Sequence, residues 1–279
     1  MVLKYKIGFI GFGQMARAIW HRLDKKSEIS FCECTPEYAS QIGQEFSLKP
    51  RNLAELVEWS ECLLFCVKPQ AIDQILSEFP KIKLSQKCLI TILAGTPISV
   101  FEKYLGSEIQ MVRVMPNTPA VVGEAMSALY FKNVNQNYRE WVIDLFSTMG
   151  TTQEIKTESQ LDIVTGISGS GPAFLYKIAD AIAKVGEQEG LDYNTSLKLI
   201  AQTMRGAGKM LLTTPSPPDL IKQVASPGGT TQAGLDIYNR SEIDSQLQAV
   251  ITGAIVRSRE IMRGCDPAPL TAERSSGSG

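Results

Sequence analysis

The residue types able to do chemistry in this chain gather in glycine-rich turns. The first turn reads Gly8-Phe9-Ile10-Gly11-Phe12-Gly13-Gln14-Met15-Ala16. Gly11, Gly13 and Ala16 keep the spacing G-x-G-x-x-G/A. The first glycine permits a tight turn, and the second lets backbone approach a pyrophosphate. A small third residue lets the helix pack close to the strand, with its N-terminus facing the phosphates. Placed after an apolar strand and at the head of a helix, the pattern predicts a dinucleotide cradle of Ile10, Gly11, Phe12, Gly13, Gln14 and Met15. The plainer alternative is a tight turn that holds nothing. Glu33 lies 20 residues after Gly13, at the end of the expected second strand. A carboxylate there can accept hydrogen bonds from ribose hydroxyls and repel a 2′-phosphate. Neither Cys34 nor Thr35 supplies a cation, so these residues lean to NADH; the alternative is an exposed strand-end acid. Cys66-Val67-Lys68-Pro69 and Leu93-Ala94-Gly95 end two further strands, where ligands of such sheets bind. Lys68 could be a catalytic lysine, but Pro69 beside it speaks for a fixed turn.

Three more segments place Gly, Ser, Thr or Asn at element termini: residues 112–120 with Met115-Pro116-Asn117-Thr118-Pro119, residues 166–174 with Ser168-Gly169-Ser170-Gly171-Pro172, and residues 226–235 with Ser226-Pro227-Gly228-Gly229-Thr230-Thr231. Free backbone N–H groups at such termini can hold a carboxylate, although helix capping explains any one of them alone. Other catalytic chemistries find little material. His21 is the only histidine and falls within the expected first helix. Multi-histidine metal sites are excluded, a Ser-His-Asp hydrolase is disfavoured, and no metal is expected. The cysteines are Cys32, Cys34, Cys62, Cys66, Cys88 and Cys265, without C-x-x-C spacing. They read as buried free thiols in a reducing compartment.

These turns need a scaffold, and the chain is long enough for one. Its 279 residues suggest about two domains. Hydrophobic residues make up 44% and charged residues 20%, which excludes a disordered chain of low hydrophobicity. The net charge of -1 excludes a strongly basic nucleic-acid binder. No apolar run approaches the ~18 residues needed to span a bilayer. The first six residues run straight into a strand pattern, without a signal peptide's apolar region, so a cytoplasmic protein is expected. Apolar strands at 7–10, 29–34, 62–67, 88–93 and 110–115 alternate with helices ending near 23 and at 37–46, 53–58, 71–76 and 98–104. Residues 122–130 and 152–155 suit edge strands. This is an α/β Rossmann-type doubly wound sheet. From about Leu161 no strand is evident and apolar residues follow helical spacing. Residues 172–186, apolar around most of the circumference, predict a buried helix. This half is an all-α domain whose long apolar helices suit burial in a dimer. The expected boundaries are 1–157 for the dinucleotide, 158–264 for the helical substrate and dimerisation domain, and 265–279 as a disordered tail.

The M-P-N-T-P, S-G-S-G-P-A and S-P-G-G-T-T motifs, in this order, resemble those of the pyrroline-5-carboxylate reductase family. The resemblance runs from about Lys6 to Arg263. It implies a Rossmann domain followed by an interlocking helical dimer, often assembled into larger rings. It also implies hydride transfer from NADPH or NADH to the cyclic C=N bond of 1-pyrroline-5-carboxylate, giving L-proline in the last step of proline biosynthesis. By the same resemblance, Thr231 hydrogen-bonds the ring nitrogen, the N–H groups of Gly229, Thr230 and Thr231 hold the carboxylate, and Ser170 and Gly171 border that pocket. Thr35, Asn52, Cys66, Val67, Lys68, Pro69 and Ala94 fall on or near the family's cofactor contacts. Two departures stand out. Many relatives have an acid near Thr214, missing here. Glu33 stands where NADPH-using relatives often have a small or basic residue. Competing readings are a reductase of another small imine or oxo acid, a β-hydroxyacid dehydrogenase relative using a lysine such as Lys177 or Lys184, and a non-catalytic nucleotide-binding regulator.

Overall fold

A computed structural model describes residues 5–23, 28–81, 84–214 and 216–262. The expected tail at 265–279, with Cys265, and Pro215 in the central proline cluster lie outside the described residues. The chain divides into two compact units. One runs to Gly169 and includes the chain from Ala254 onward; the other is Ser170–Gly253.

The first unit alternates strands and helices: β1 (Lys6–Ile10), α1 (Gln14–Trp20), β2 (Glu28–Cys32), α2 (Pro36–Phe46), β3 (Lys49–Pro50), α3 (Leu53–Trp59), β4 (Cys62–Phe65), α4 (Ile72–Ser77), β5 (Cys88–Thr91), α5 (Ile98–Leu105), β6 (Gln110–Met115), β7 (Ala125–Lys132), α6 (Gln136–Ser147), β8 (Gly150–Glu154) and α7 (Gln160–Val164). The sheet order is β3-β2-β1-β4-β5-β6-β7-β8. All neighbours run parallel except β6 and β7. Every residue of β4 and β5 is buried, as a parallel strand covered on both faces requires. Side chains alternate between two cores. Cys62 and Leu64 join Phe9, Phe12 and Phe31 on one face, while Leu63 and Phe65 join Ile10, Leu89 and Phe101 on the other. The expected strands at 29–34, 62–67 and 88–93 end earlier, at Cys32, Phe65 and Thr91, so the residues after them are free to form the loops of the sheet's carboxyl edge. The edge strands form as expected, shifted by a few residues.

After α7 a single π-helical turn, Thr165–Gly169, leads out of the first unit. The expected boundary stood at 157/158, whereas the compact units part at Gly169/Ser170. Burial of Leu161 and Asp162 accounts for the difference. Ser258 is also buried there, and its hydroxyl donates to Asp162 Oδ1 at 2.8 Å.

The second unit is helical: α8 (Gly171–Gln188), α9 (Tyr193–Thr213), α10 (Pro217–Val224), α11 (Thr230–Arg240) and the first part of α12 (Ile243–Met262). Helices α8 and α9 approach closely at Gly186, where an added Cβ would lie 2.2 Å from Ser196 Oγ. The expected burial of the helix at 172–186 is not reached within one copy of the chain. Only Ala179 and Ala183 of α8 are buried, while Tyr176 is 65% and Val185 57% exposed. One copy of the chain supplies too few neighbours to cover a helix that is apolar on several sides.

Candidate active site

The turn after β1 is built by one strained glycine and one buried ring. Gly11 has φ +84°, a conformation that favours glycine. An added Cβ would stand 2.6 Å from Val67 Cγ1 and 3.0 Å from Cys66 O. Gly11 N donates to Cys32 O at 2.9 Å, and Cys66 N donates to Ile10 O at 2.8 Å. The turns following β1, β2 and β4 therefore interlock. Chain order reverses at this point of the sheet, because β1 lies between β2 and β4. Ligands of open α/β sheets bind in the crevice at such a point. The Phe12 ring is fully buried, with centroids of Phe9, Phe31 and Phe46 at 5.3, 5.4 and 5.3 Å. Gly13 is exposed; an added Cβ would meet nothing within 4 Å, and no side chain caps α1. Ala16 is fully buried, so the helix lies close to the sheet. A tight turn, open space before Gly13 and uncapped N–H groups fit a dinucleotide.

The other expected cofactor residues occupy the same carboxyl edge. Phe12 N donates to Glu33 Oε1 at 2.5 Å. Gln14 and Met15 open α1. Thr35 is exposed and precedes α2, with its hydroxyl 3.8 Å from Cys34 Sγ. Cys66 and Val67 touch the Gly11 turn. Lys68 is exposed and leads into the 3-10 turn Pro69–Ala71, the fixed-turn arrangement. Ala94 precedes Gly95, whose φ is +69°. Asn52 caps α3, its Oδ1 accepting from Glu55 N at 2.9 Å. Burial pushes the Cys66 thiol far up, and the same cause raises Cys62 and Cys88. Burial thus favours the neutral thiol over the nucleophilic thiolate.

Sequence reasoning gave no role to Asn117, which ties three segments together. Its Oδ1 accepts from Met126 N at 3.0 Å, and its Nδ2 donates to Ser168 O at 3.2 Å. The turn after β6 is thus joined to the start of β7 and to the π-helical turn. A Cβ on Gly169 would stand 2.5 Å from Met115 Cε. Glu158 Oε1 likewise accepts from Arg113 Nη1 and from Ile98 N, each at 2.7 Å. The motif spacing flags the segment around Asn117; its partners depend on the packing of distant strands.

In the second unit, Ser226–Gly229 forms a tight turn. Gly228 has φ +72°, and Gly229 N donates to Ser226 O at 3.0 Å. The Gly229 N–H thus serves the turn itself. Thr230 and Thr231 open α11, whose first-turn N–H groups have no intrahelical partner and no side-chain cap. Thr231 is half-buried and lines an apolar cavity of about 350 Å³ with Met210, Leu211, Leu220 and Ile221. Its hydroxyl makes no hydrogen bond among the described residues. Ser170 precedes α8 and accepts from Ala173 N at 3.1 Å through its carbonyl. Lys184 is paired with Asp180 at 2.8 Å and Lys177 is exposed. His21 is exposed against the Trp20 ring. Among the described residues no helix is long and apolar enough to cross a membrane, and no cluster of His, Cys, Asp or Glu could hold a metal.

Comparison with known proteins bears on both units. A family model described as "Pyrroline-5-carboxylate reductase dimerisation" matches residues 158–261, and one described as "NADP oxidoreductase coenzyme F420-dependent" matches residues 6–95. Pyrroline-5-carboxylate reductase of Methanosarcina acetivorans is 36% identical, covering 92% of this chain and 97% of that protein. The crystal structure of 1-pyrroline-5-carboxylate reductase from Streptococcus pyogenes superposes with a TM-score of 0.83 at 28% identity, covering 92% of this chain and 99% of the other. The Plasmodium falciparum pyrroline carboxylate reductase, solved with NADP bound, gives 0.79 at 31% identity, covering 92% and 98%.

Proposed function

The chain belongs to the pyrroline-5-carboxylate reductase family, and from that premise we propose that it reduces 1-pyrroline-5-carboxylate to L-proline, the last step of proline biosynthesis. One hydride and one proton add across the ring C=N bond. NAD(P)H supplies the hydride when bound. Its holders in this reading are residues 10–15, Glu33, Thr35, Asn52, residues 66–69 and Ala94. The chain's own task is to hold the imine and place its proton. The N–H groups of Thr230 and Thr231, at a helix N-terminus, receive the substrate carboxylate. The Gly229 N–H, bonded to Ser226 O, keeps that turn in shape. The unpartnered Thr231 hydroxyl hydrogen-bonds the ring nitrogen and keeps the proton there. A protonated imine has a more electrophilic carbon, and this chemistry requires no histidine. Ser170 borders the pocket. The domain division that goes with this reading is 1–157 for the cofactor and 158–264 for substrate and dimerisation. The free thiols of Cys32, Cys34, Cys62, Cys66 and Cys88 support a reducing, cytoplasmic location.

The single observation that carries the activity is the similarity across nearly the full length of both chains. The test is loss of reduced-nicotinamide absorbance with purified protein and pyrroline-5-carboxylate, run with NADH and with NADPH. Steady turnover is expected. Cofactor binding without turnover would overturn the substrate and favour another imine or a regulatory role.

A further inference from the structure

We infer that Glu33 selects the cofactor, favouring NADH over NADPH. The inference rests on the cofactor cradle proposed above and adds a choice that the family does not dictate. Glu33 follows β2 at the sheet's carboxyl edge, and its side chain reaches the glycine-rich turn. Oε1 accepts the Phe12 N–H at 2.5 Å. That donor is fixed, because the Phe12 ring is fully buried among Phe9, Phe31 and Phe46. The neighbouring Gly11 N is held by Cys32 O. The carboxylate is therefore anchored through one oxygen. The other, Oε2, has no partner among the described residues and is available to a ribose hydroxyl.

The segment that follows β2 offers no cation to a 2′-phosphate. Residues 33–37 read Glu-Cys-Thr-Pro-Glu, two acids and no cation. Arg17 is held by Glu45 at 2.8 and 3.0 Å and lies over the Phe46 ring. The Arg51 guanidinium stacks on Trp59, 4.7 Å from the ring centroid, and its Nε is buried without a hydrogen bond among the described residues. A phosphate beside Glu33 would bring like charges together, whereas a ribose hydroxyl there donates a hydrogen bond to a charged acceptor. The relative from Plasmodium falciparum was solved with NADP bound; in the present chain one anchored carboxylate disfavours the 2′-phosphate.

The experiment is direct titration of the purified protein with NADH and with NADPH, without imine, for the native chain and for Glu33→Gln. Glutamine keeps an oxygen for the Phe12 N–H and removes the charge. The native chain is expected to bind NADH at least about tenfold tighter than NADPH, a modest part of what close like charges give near a protein surface. Its NADPH affinity should rise with ionic strength, as screened repulsion requires. Glu33→Gln should shift the ratio about tenfold toward NADPH. Equal affinities in the native chain, or an unchanged ratio in Glu33→Gln, would overturn the inference. If Glu33→Gln does not fold, competition on the native chain decides. AMP should displace NADH better than adenosine 2′,5′-bisphosphate, and the reverse order would overturn the inference. Failure to bind either dinucleotide would remove the cradle and the inference together. Selective NADH binding without imine turnover would overturn the proposed reaction and leave the role of Glu33 standing.

Discussion

Two residues carry most of the chemical weight, and each makes a separable demand. Thr231 is half-buried at the head of α11 with a hydroxyl that makes no hydrogen bond among the described residues. Thr231→Ala keeps the backbone N–H and removes only the side-chain oxygen. A hydrogen bond to a charged nitrogen contributes about 1.5–3 kcal/mol, so kcat/KM for the imine should fall roughly tenfold to a hundredfold. The Kd for NADH should stay put, and Thr231→Ser should restore much of the rate. Equal loss of cofactor affinity would remove the assigned role. Gly11 makes a steric demand instead. Its φ of +84° and the 2.6 Å approach of Val67 Cγ1 to a hypothetical Cβ leave no room for alanine. Gly11→Ala should cost on the order of 1–3 kcal/mol of stability. Cofactor affinity should drop as well, because the displaced backbone belongs to the proposed cofactor cradle. A thermal midpoint unchanged from the native protein would show that the turn relaxes freely.

At the scale of elements, Asn117 is the joint between three of them. Removing its side chain leaves the Met126 N–H and the Ser168 carbonyl without their partner. Each lost bond costs about 1 kcal/mol or more when the groups cannot reach water. Asn117→Ala should therefore lower the thermal midpoint by several degrees, at about 2–4 °C per kcal/mol for a domain of this size. Asn117→Asp retains the acceptor for Met126 and should lose less; the opposite order would show that the bond to Ser168 dominates. Much of this scale was readable beforehand. The continuous apolar runs at 62–65 and 88–91 announce central parallel strands, and residues 8–16 announce the tight glycine-rich turn between β1 and α1. Other features escaped for physical reasons. β3 is two exposed residues, Lys49 and Pro50, without a burial pattern to detect. α6 does carry a signal, with Asn135 as cap and Tyr138, Trp141, Val142, Leu145 and Phe146 buried, and an expectation of edge strands alone across this stretch omits it. Ser168 lies 51 residues from Asn117 and Phe12 lies 21 from Glu33, and only the folded chain brings them together.

At the scale of the molecule, the two units have different needs. The first closes its own cores on both faces of the sheet. The second leaves apolar residues in water: Tyr176 and Val185 on α8, Leu199 on α9 and Ile237 on α11 are each more than half exposed. Apolar surface on this scale marks an interaction site, and the match to the dimerisation domain over residues 158–261 gives its partner, a second copy of the chain. Association then stabilises the helical unit by mass action, so its thermal midpoint should rise with protein concentration. Val185→Asp places a charge where apolar contact is needed and should shift the sedimenting species toward monomer. Because the first unit has its own core, NADH binding should survive in that monomer while imine turnover is lost with the helices that carry Thr231. Loss of both activities together would mean that the cofactor unit does not stand alone. Retention of the native assembly by Val185→Asp would take this part of α8 out of the interface and leave α9 and α11 as its candidates.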